Sequence, residues 1–203
     1  MKRIDPQGLT KKQNYKLLSG SVIPRPIAFV TTQSETGVMN AAPFSFFNVV
    51  NSAPPMIMIS TTRANGKRKD TSVNIEQTGQ FVVHITDNNI VEEVNKTAAP
   101  IAIELNELER TSLNLVDSEA VDVPGIAQAK VRMECKLDRI IPLGDKLEGS
   151  DLIIGEVVMF HIADDVYFED SKINPDTLQA VSRLAGNDYA HIGETFTIIR
   201  PNN

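Results

Sequence analysis

The sequence predicts a mainly β protein, a closed or partly closed antiparallel barrel decorated by a few short helices. At least six segments with the apolar pattern of short strands follow one another along the chain, and the helical patterns between them are brief. Many short strands with few helices are typical of a barrel. The 203 residues contain no repeat, low-complexity segment or linker, so we expect a single domain over residues 1–203.

The predicted strands are short apolar or β-branched runs with turn-forming boundaries. In order, they are 27–32, 38–42, 56–60, 81–85, 130–137, 152–162 and 195–199. Polar and apolar residues alternate over 130–137, which predicts a strand with one face in water. The segment 152–162 is apolar almost throughout, which predicts a strand buried on both faces. Gly155 inside it predicts a bend or a bulge.

Two short helices are predicted between these strands. Asn89 can cap a helix over 90–97, because an acidic residue stands at the capping-box position. Asp70 or Thr71 can cap a helix of about two turns that ends at Gly79. Both helices are brief enough to lie at the periphery of a barrel.

A third helix is predicted to start near Pro175, a residue type favoured in the first helical turn. It would present Leu178, Val181 and Leu184 to the core at helical spacing. Gly186 is expected to end it.

Composition and charge exclude several classes of function. With 26 acidic and 20 basic residues the net charge is -6, which disfavours nucleic acid or anionic membranes as partners. Cys135 is the only cysteine, which excludes a Cys-based metal site, and the three histidines lack ligand spacing. No metal site is predicted, and a three-histidine site assembled by folding is the alternative. The first residues lack the apolar stretch of a secretory signal, and no apolar run reaches the roughly 18 residues of a membrane span. We therefore expect a cytoplasmic protein.

A basic cluster is the clearest sign of a binding site. Four of the chain's 20 lysines and arginines lie within 63–69, directly before the predicted helix start at Asp70. Hydroxyl side chains precede the cluster at Ser60, Thr61 and Thr62. A helix N-terminus with cations and hydroxyls beside it is suited to a phosphate. A solvated basic loop is the alternative, but such a concentration in an acidic protein favours an anion site.

The segment 40–48 (NAAPFSFFN) is unusual because three of the chain's eight phenylalanines fall within four residues, after small residues and a proline. Small residues let a flat ligand approach the backbone closely. The alternative is a core segment filled by aromatic side chains. By itself the segment identifies no ligand.

An ordered set of motifs resembles the flavin reductase-like family of FMN-binding split-barrel proteins. The set spans roughly residues 20–200 and comprises 24–32 (PRPIAFVTT), 40–48 (NAAPFSFFN), 54–55 (PP), 69–75 (KDTSVNI), 78–83 (TGQFVV), 134–137 (ECKL), 155–161 (GEVVMFH) and 183–189 (RLAGNDY). The resemblance implies a six-stranded antiparallel Greek-key split barrel. It also implies a homodimer with FMN bound near the subunit interface.

The resemblance further implies roles for individual residues. Those implied around the FMN phosphate are Ser60, Thr61, Thr62, Arg63, Lys69 and Thr71. Those implied along the isoalloxazine ring are Asn40, Ala41, Pro43, Phe44 and Ser45. Thr31 and Thr32 would lie near the ring or the ribityl chain. His161 and Tyr189 would approach the flavin face or a nicotinamide pocket, either within one subunit or from the partner subunit.

Two roles are compatible with Arg183: it binds a cofactor phosphate, or it lies on the exposed face of the third helix. His161 likewise is either a residue that tunes the flavin or a structural histidine at a strand end.

Three classes of function are compatible with these residues. The first is a flavin reductase that transfers hydride from NADH or NADPH to flavin. The second is an FMN-binding electron carrier that a partner protein reduces, without its own nicotinamide site. The third is a flavin-binding or flavin-free dimer with no redox role, because a fold does not fix a function. Retention of both the basic cluster and the 40–45 segment favours an FMN-dependent oxidoreductase.

Overall fold

The structure, a computed structural model, describes residues 1–98 and 107–201. Its helices are α1 (Lys11–Ser21), α2 (Asp70–Thr78), α3 (Val91–Lys96) and α4 (Pro175–Leu178), with 3-10 turns at Pro6–Gly8, Glu107–Arg110 and Glu169–Ser171. Its strands are β1 (Arg25–Pro26), β2 (Ala28–Gln33), β3 (Met39–Phe44), β4 (Phe47–Ser52), β5 (Pro55–Thr62), β6 (Gln80–Ile85), β7 (Leu115–Val116), β8 (Gly125–Ile126), β9 (Val131–Leu143), β10 (Ser150–Ile162), β11 (Tyr167–Phe168), β12 (Lys172–Ile173), β13 (Val181–Arg183) and β14 (Tyr189–His191). The predicted mainly β class is confirmed.

Seven strands form one antiparallel sheet in the order β3-β2-β6-β9-β10-β5-β4. If this sheet were flat, its edge strands would lie about 29 Å apart at the usual spacing of about 4.8 Å per strand. Only Ser45 and Phe46 join those edges, and the three residue steps from Phe44 to Phe47 span at most about 11 Å. The sheet must therefore curl into a barrel. The pairing of β4 with β5 continues into this bend, where Ser60 N of β5 donates to Phe46 O at 2.8 Å.

The strand count differs slightly from the six that the resemblance implied. Residues 39–52 form β3 and β4, two strands separated by a bend of two residues. Counted as one bent strand, this stretch gives a ring of six members. The bend places the three phenylalanines differently: Phe44 and Phe47 are buried, whereas Phe46 is half-buried.

The hairpin of β9 and β10 forms the longest pairing in the sheet. Its register shifts between Ile154 and Gly155, which confirms the predicted bulge. A Cβ atom at Gly155 would lie 2.3 Å from Cζ of Phe81, so the glycine is required by close packing. The predicted wet face of β9 is wrong at one position, because Glu134 is fully buried.

The barrel interior holds the main apolar core. Its buried members come from most strands of the sheet and from α2: Ala28, Val30, Phe44, Phe47, Ile57, Ile59, Ile75, Phe81, Val83, Met133, Cys135, Ile153 and Val157. Cys135 is thus a buried apolar residue, and burial raises the pKa of its thiol far above the usual range. A second cluster covers the outer face of the sheet, where Ile90 at the N-cap of α3 and Val94 within α3 pack with Phe29 of β2.

The two short helices form as predicted, but their caps differ. Gly79 ends α2 in the left-handed conformation with φ 71°. Lys69, rather than Asp70 or Thr71, occupies the N-cap position of α2 without a side-chain bond. Before α3, the carboxylate of Asp87 accepts the backbone N–H of Asn89 at 2.8 Å, so Asp87 shapes the turn that Asn89 was expected to cap.

The predicted third helix is wrong beyond its first turn. After α4, Gln179 adopts the left-handed conformation, and Val181 begins strand β13. Strand β13 pairs with β1 on one side and β14 on the other. The spacing of Leu178, Val181 and Leu184 is compatible with a helix, but the strand pairings of β13 stabilise the extended conformation instead.

Two further differences concern the ends of the chain. The predicted strand at 195–199 is wrong, since the segment has no regular structure and Phe196 is 82% exposed. Helix α1 was not predicted, although its capping box of Thr10 and Gln13 is a recognisable start signal. In the described ranges no helix has the length and apolarity to cross a membrane.

Candidate functional site

A cleft of about 420 Å³ opens where the end of β5, the basic cluster and the start of α2 meet strand β3. It is lined by Asn40, Ala42, Pro43, Phe44, Thr62, Ala64, Lys67, Arg68, Lys69, Asp70, Thr71, Thr97, Ala98 and Glu107. The fold therefore brings together the two segments that the sequence singled out, the basic cluster and the 40–44 stretch. One wall of the cleft is cationic and the other is small and apolar.

The cationic wall is held in place by the turn between β5 and α2. Ala64 and Lys67 exchange backbone hydrogen bonds of 3.1 and 2.9 Å, which closes the loop tightly. Lys67 and Lys69 are exposed at the cleft, and Thr62 is exposed beside them. Each lysine carries mobile donors and a full positive charge, the combination that binds a phosphate as a point charge.

Two arginines of the cluster share one buried carboxylate. Asp151 of β10 is 1% exposed; its carboxylate accepts Nη2–H of Arg63 and, at 2.9 Å, Nε–H of Arg68. Burial acts to raise the pKa of Asp151, but the hydrogen bonds and charges of the two guanidinium groups hold that pKa below its usual value. Arg68 also bonds Glu76 of α2 at 2.5 Å. Arg68 lines the cleft, whereas Arg63 is not among the lining residues.

A buried network of amides and hydroxyls forms the floor of the site. Nδ2 of Asn40 donates to Thr71 Oγ1 at 2.9 Å and to Thr32 Oγ1 at 3.2 Å. Nδ2 of Asn74 donates to the same Thr32 hydroxyl at 3.1 Å. The network fastens β2, β3 and α2 to one another, so the residues at the start of α2 are rigidly placed relative to the 40–44 stretch.

Thr61 and the residues that flank the cleft have structural contacts. Thr61 is buried, and its hydroxyl lies 2.5 Å from the hydroxyl of Ser72 in α2. Ser45 lies in the bend between β3 and β4, and Ser60 of β5 bonds to that bend; neither serine lines the cleft. Thr31 is also buried outside the cleft, where its hydroxyl donates to Pro124 O at 2.8 Å.

The apolar wall carries one acidic group that the sequence analysis did not identify. Oε2 of Glu107 accepts the backbone N–H of Ala41 at 3.2 Å, and Glu107 lines the cleft beside Thr97. Burial raises the pKa of Glu107. Ala41 itself is buried, whereas Pro43 and Phe44 reach the cleft. No local pattern in the sequence marks Glu107.

His161 lies at a different place on the barrel, outside the set of cleft-lining residues. Its Nε2 lies 2.5 Å from Oε1 of Glu134, and a carboxylate only accepts, so Nε2 carries the proton. The Glu134 carboxylate also accepts the backbone N–H groups of Glu119 and Ala120 at 2.8 and 2.5 Å. Burial acts to raise the pKa of Glu134, but these hydrogen bonds and the nearby His161 hold that pKa below its usual value. A surface depression beside His161 is also lined by Arg132.

Tyr189 and Arg183 form a third group, on the hairpin of β13 and β14. The Arg183 guanidinium stacks over the Tyr189 ring at 4.4 Å from the centroid. The Tyr189 hydroxyl donates to Asn95 Oδ1 at 3.2 Å, and Arg183 donates to Gly186 O at 2.5 Å. Arg183 therefore sits on a strand, and the predicted helix face does not exist. Within one subunit, neither residue lines the cleft.

The described ranges contain no group of three or more His, Cys, Asp or Glu side chains that could hold a metal ion. His84, for example, has no ring nitrogen available for a metal ion. It is fully buried, with Nδ1–H donated to Phe29 O at 2.8 Å and Nε2 accepting Ile126 N–H at 2.9 Å. Both ring nitrogens are occupied by backbone groups. Burial and the nearby Arg132 charge lower the pKa of His84 to about 4, outweighing the Phe29 hydrogen bond.

Fold and site together define a mainly β split-barrel protein with a cleft that carries the basic cluster on one wall. The model of the flavin reductase like domain matches residues 19–177. The chain therefore belongs to the flavin reductase-like domain family. The mainly β split-barrel fold that the resemblance implied is confirmed.

Particular relatives span the whole chain. An uncharacterised protein of Bacillus subtilis, YwrF, is 54% identical over 95% of this chain and 96% of its own. The crystal structure of nitrilotriacetate monooxygenase component B from Bacillus cereus matches with a TM-score of 0.95, 47% identity and 98% coverage of both chains. The 2-nitrobenzoate 2-nitroreductase NbaA of Pseudomonas fluorescens matches with a TM-score of 0.89 and 33% identity, over 98% of this chain and 96% of its own.

Proposed function

We propose that the chain binds FMN in the cleft between the basic cluster and β3 and acts as an NAD(P)H-dependent flavin reductase. The observation that carries this proposal is the meeting of Lys67, Arg68 and Lys69 with the small, apolar 42–44 wall in one cleft. A phosphate needs cations and donors, and a planar ring needs an apolar wall that it can approach closely. The names of the two solved relatives, a monooxygenase component and a nitroreductase, support an oxidoreductase.

The residues present fit FMN. Lys67, Lys69 and Thr62 offer donors to the phosphate, and Arg68 keeps one covered guanidinium nitrogen, Nη2, without an acceptor among the described residues. Pro43 and Phe44 supply the wall for the ring. The bound flavin supplies the redox chemistry, while the protein provides binding, orientation and electrostatics.

The phosphate assignment is tested with paired ligands. Replacing Lys67 and Lys69 by alanine is expected to weaken FMN binding at least about tenfold and to change riboflavin binding less than about twofold, because only FMN carries the phosphate. The chain has no tryptophan, so quenching of flavin fluorescence measures both affinities directly. The matched control replaces Lys12 and Lys16, two exposed lysines on α1, and removes the same charge. Equal losses for FMN and riboflavin would contradict the assignment.

The electron carrier is the second candidate, and the name of the component B relative favours it, since a component works with another protein. Mixing the FMN-loaded protein with NADH or NADPH in the absence of any partner separates the two candidates. Rapid loss of flavin absorbance supports the reductase. A flavin that stays oxidised until a reduced partner is added supports the carrier.

We also propose that two copies associate, and that His161, Arg183 and Tyr189 face a ligand through that association. Large apolar side chains stand exposed at several places, among them Val49 at 68% and Phe160 at 50%. Phe160 shares one surface depression with the exposed Tyr167 and Ile173, and a contiguous exposed apolar patch of this kind marks an interaction surface. Sedimentation equilibrium gives the mass directly, and a monomer at micromolar concentration would overturn this part of the proposal.

A further inference from the structure

The basic cluster contains two arginines five positions apart, Arg63 and Arg68. The sequence alone does not indicate which of them would bind a phosphate. The structure separates them. We propose that Arg68, and not Arg63, is the arginine of the phosphate site, and that the buried Asp151 is the positioning residue that holds Arg68 there. The proposal rests on the proposed FMN function and assigns the residues of that same site.

The placement of the two side chains is the first argument. Arg68 lines the cleft together with Lys67 and Lys69, and its side chain is 24% exposed. The Arg63 side chain is 15% exposed and is absent from the lining. The Arg63 guanidinium instead donates to the Asp151 carboxylate, and its covered Nε has no acceptor among the described residues.

The way Arg68 is held is the second argument. Its Nε donates to Asp151 Oδ2 at 2.9 Å and its Nη1 donates to Glu76 Oε2 at 2.5 Å. Carboxylates on two elements, β10 and α2, thus fix the plane of the guanidinium. A long side chain fixed before binding loses less conformational freedom on binding, so its hydrogen bonds contribute more affinity.

The burial of Asp151 is the third argument. Its partner in the sheet is Thr61, which in turn contacts Ser72 at the start of α2. Asp151 is therefore anchored to the same two elements that form the cationic wall. A carboxylate at 1% exposure cannot reorient toward water, so it sets the position of both guanidinium groups.

The sign of one substitution distinguishes positioning from simple electrostatics. Asp151→Asn removes a negative charge next to a cationic cleft, and charge alone would then strengthen the binding of an anion. If Asp151 positions Arg68, the same substitution weakens FMN binding by about threefold to tenfold and leaves riboflavin binding unchanged. The exposed Glu76→Gln, which removes the other carboxylate of Arg68, is expected to weaken FMN binding less than Asp151→Asn does, because Glu76 is freer to move.

A matched pair of variants tests the assignment of the arginine itself. Arg68→Gln and Arg63→Gln each remove one positive charge and one hydrogen bond to Asp151. Loss of a hydrogen bond to a charged partner corresponds to about tenfold to a hundredfold in affinity. We expect a loss of that size in FMN affinity for Arg68→Gln and less than about threefold for Arg63→Gln, with riboflavin unaffected by either.

Several outcomes would overturn the inference. An Arg63→Gln loss equal to or larger than that of Arg68→Gln assigns the phosphate to Arg63. FMN binding that tightens or stays unchanged in Asp151→Asn removes the positioning role. Circular dichroism and thermal melting identify any variant that fails to fold, and the two arginine variants decide the assignment if Asp151→Asn is such a variant. A wild-type protein that binds neither FMN nor riboflavin overturns the proposed function and the inference together.

Discussion

Two buried carboxylates lie on the same long hairpin and are neutralised in different ways. Asp151 of β10 binds the guanidinium groups of Arg63 and Arg68 beside the cleft. Glu134 of β9 binds two backbone N–H groups and His161. Both carboxylates keep lowered pKa values in spite of burial. The difference is that Asp151 is neutralised by two arginines, which stay charged at all working pH values, whereas two of the three groups that donate to Glu134 are backbone N–H dipoles without net charge.

The comparison shows what each region is built to do. Around Asp151, the carboxylates of Asp151 and Glu76 balance the charges of the two guanidinium groups, so the positive charge offered to a ligand comes also from the exposed Lys67 and Lys69. Around Glu134, the carboxylate is satisfied locally by the 119–120 backbone and one histidine. We therefore expect Glu134 to contribute mainly to folding and to the orientation of His161, and Asp151 to contribute to ligand affinity as well.

The largest expected effect is on stability at Glu134. Glu134→Ala removes a fully buried carboxylate and leaves two part-buried N–H groups and the His161 Nε2–H without their acceptor. Breaking such a cluster costs about 3–5 kcal/mol. Urea unfolding of the variant and of Glu156→Ala, an exposed glutamate on β10, measures the difference. The control is expected to lie within about 0.5 kcal/mol of the wild type. A loss below about 1 kcal/mol for Glu134→Ala would mean that water replaces the carboxylate.

The second effect is a pH dependence of the free energy of unfolding, in which the contribution of His84 is separated from those of Asp151 and Glu134. The pKa of His84 is about 4 in the folded protein and near 6.5 in the unfolded chain, so the unfolded chain binds more protons between those values. The free energy of unfolding therefore falls as the pH drops from 6.5 to 4, by at most about 1.4 kcal/mol per pH unit. The lowered pKa values of Asp151 and Glu134 add to this fall only below about pH 5, where the same carboxyl groups of the unfolded chain begin to take up protons.

His84→Gln removes the titrating ring and should flatten the pH profile between 6.5 and 4. His191→Gln, at an exposed position on β14, serves as the matched control and should keep the wild-type slope. Denaturant midpoints at four or five pH values give both slopes. If His84→Gln retains the full slope, another group is responsible for the acid sensitivity.

The smallest expected effect is at Cys135, the neighbour of Glu134 on the opposite face of β9. Cys135→Ala removes one buried sulfur atom from the barrel core and should lower the free energy of unfolding by about 1 kcal/mol. FMN affinity should stay unchanged, because the thiol faces the core and burial holds its pKa far above neutrality. Cys135→Ser, which places a hydroxyl in the same apolar site, should be the less stable of the two. A loss of turnover without a loss of stability would contradict the structural role.

Local patterns were sufficient for most of the barrel. The short apolar and β-branched runs correctly predicted β2, β5 and β6. Gly155 correctly predicted a bulge, and the structure gives the reason for the glycine, since no side chain fits there against Phe81. The pattern failed at 178–184, where apolar residues at helical spacing are also compatible with a strand. There the pairing of β13 with β1 and β14 decided the outcome, and such partners lie far away in the sequence.

Composition and short-range periodicity encode strands, turns and charge density, so local patterns predicted the fold class, the basic cluster before α2 and the small, aromatic-rich stretch on β3. Three features depend instead on the assembled barrel: these two segments share one cleft, Arg68 faces it while Arg63 does not, and Glu134 is buried. The direction of a side chain and its partners follow from strand register and sheet curvature. Residues that meet there, such as Arg68 and Asp151, are 83 positions apart in the chain.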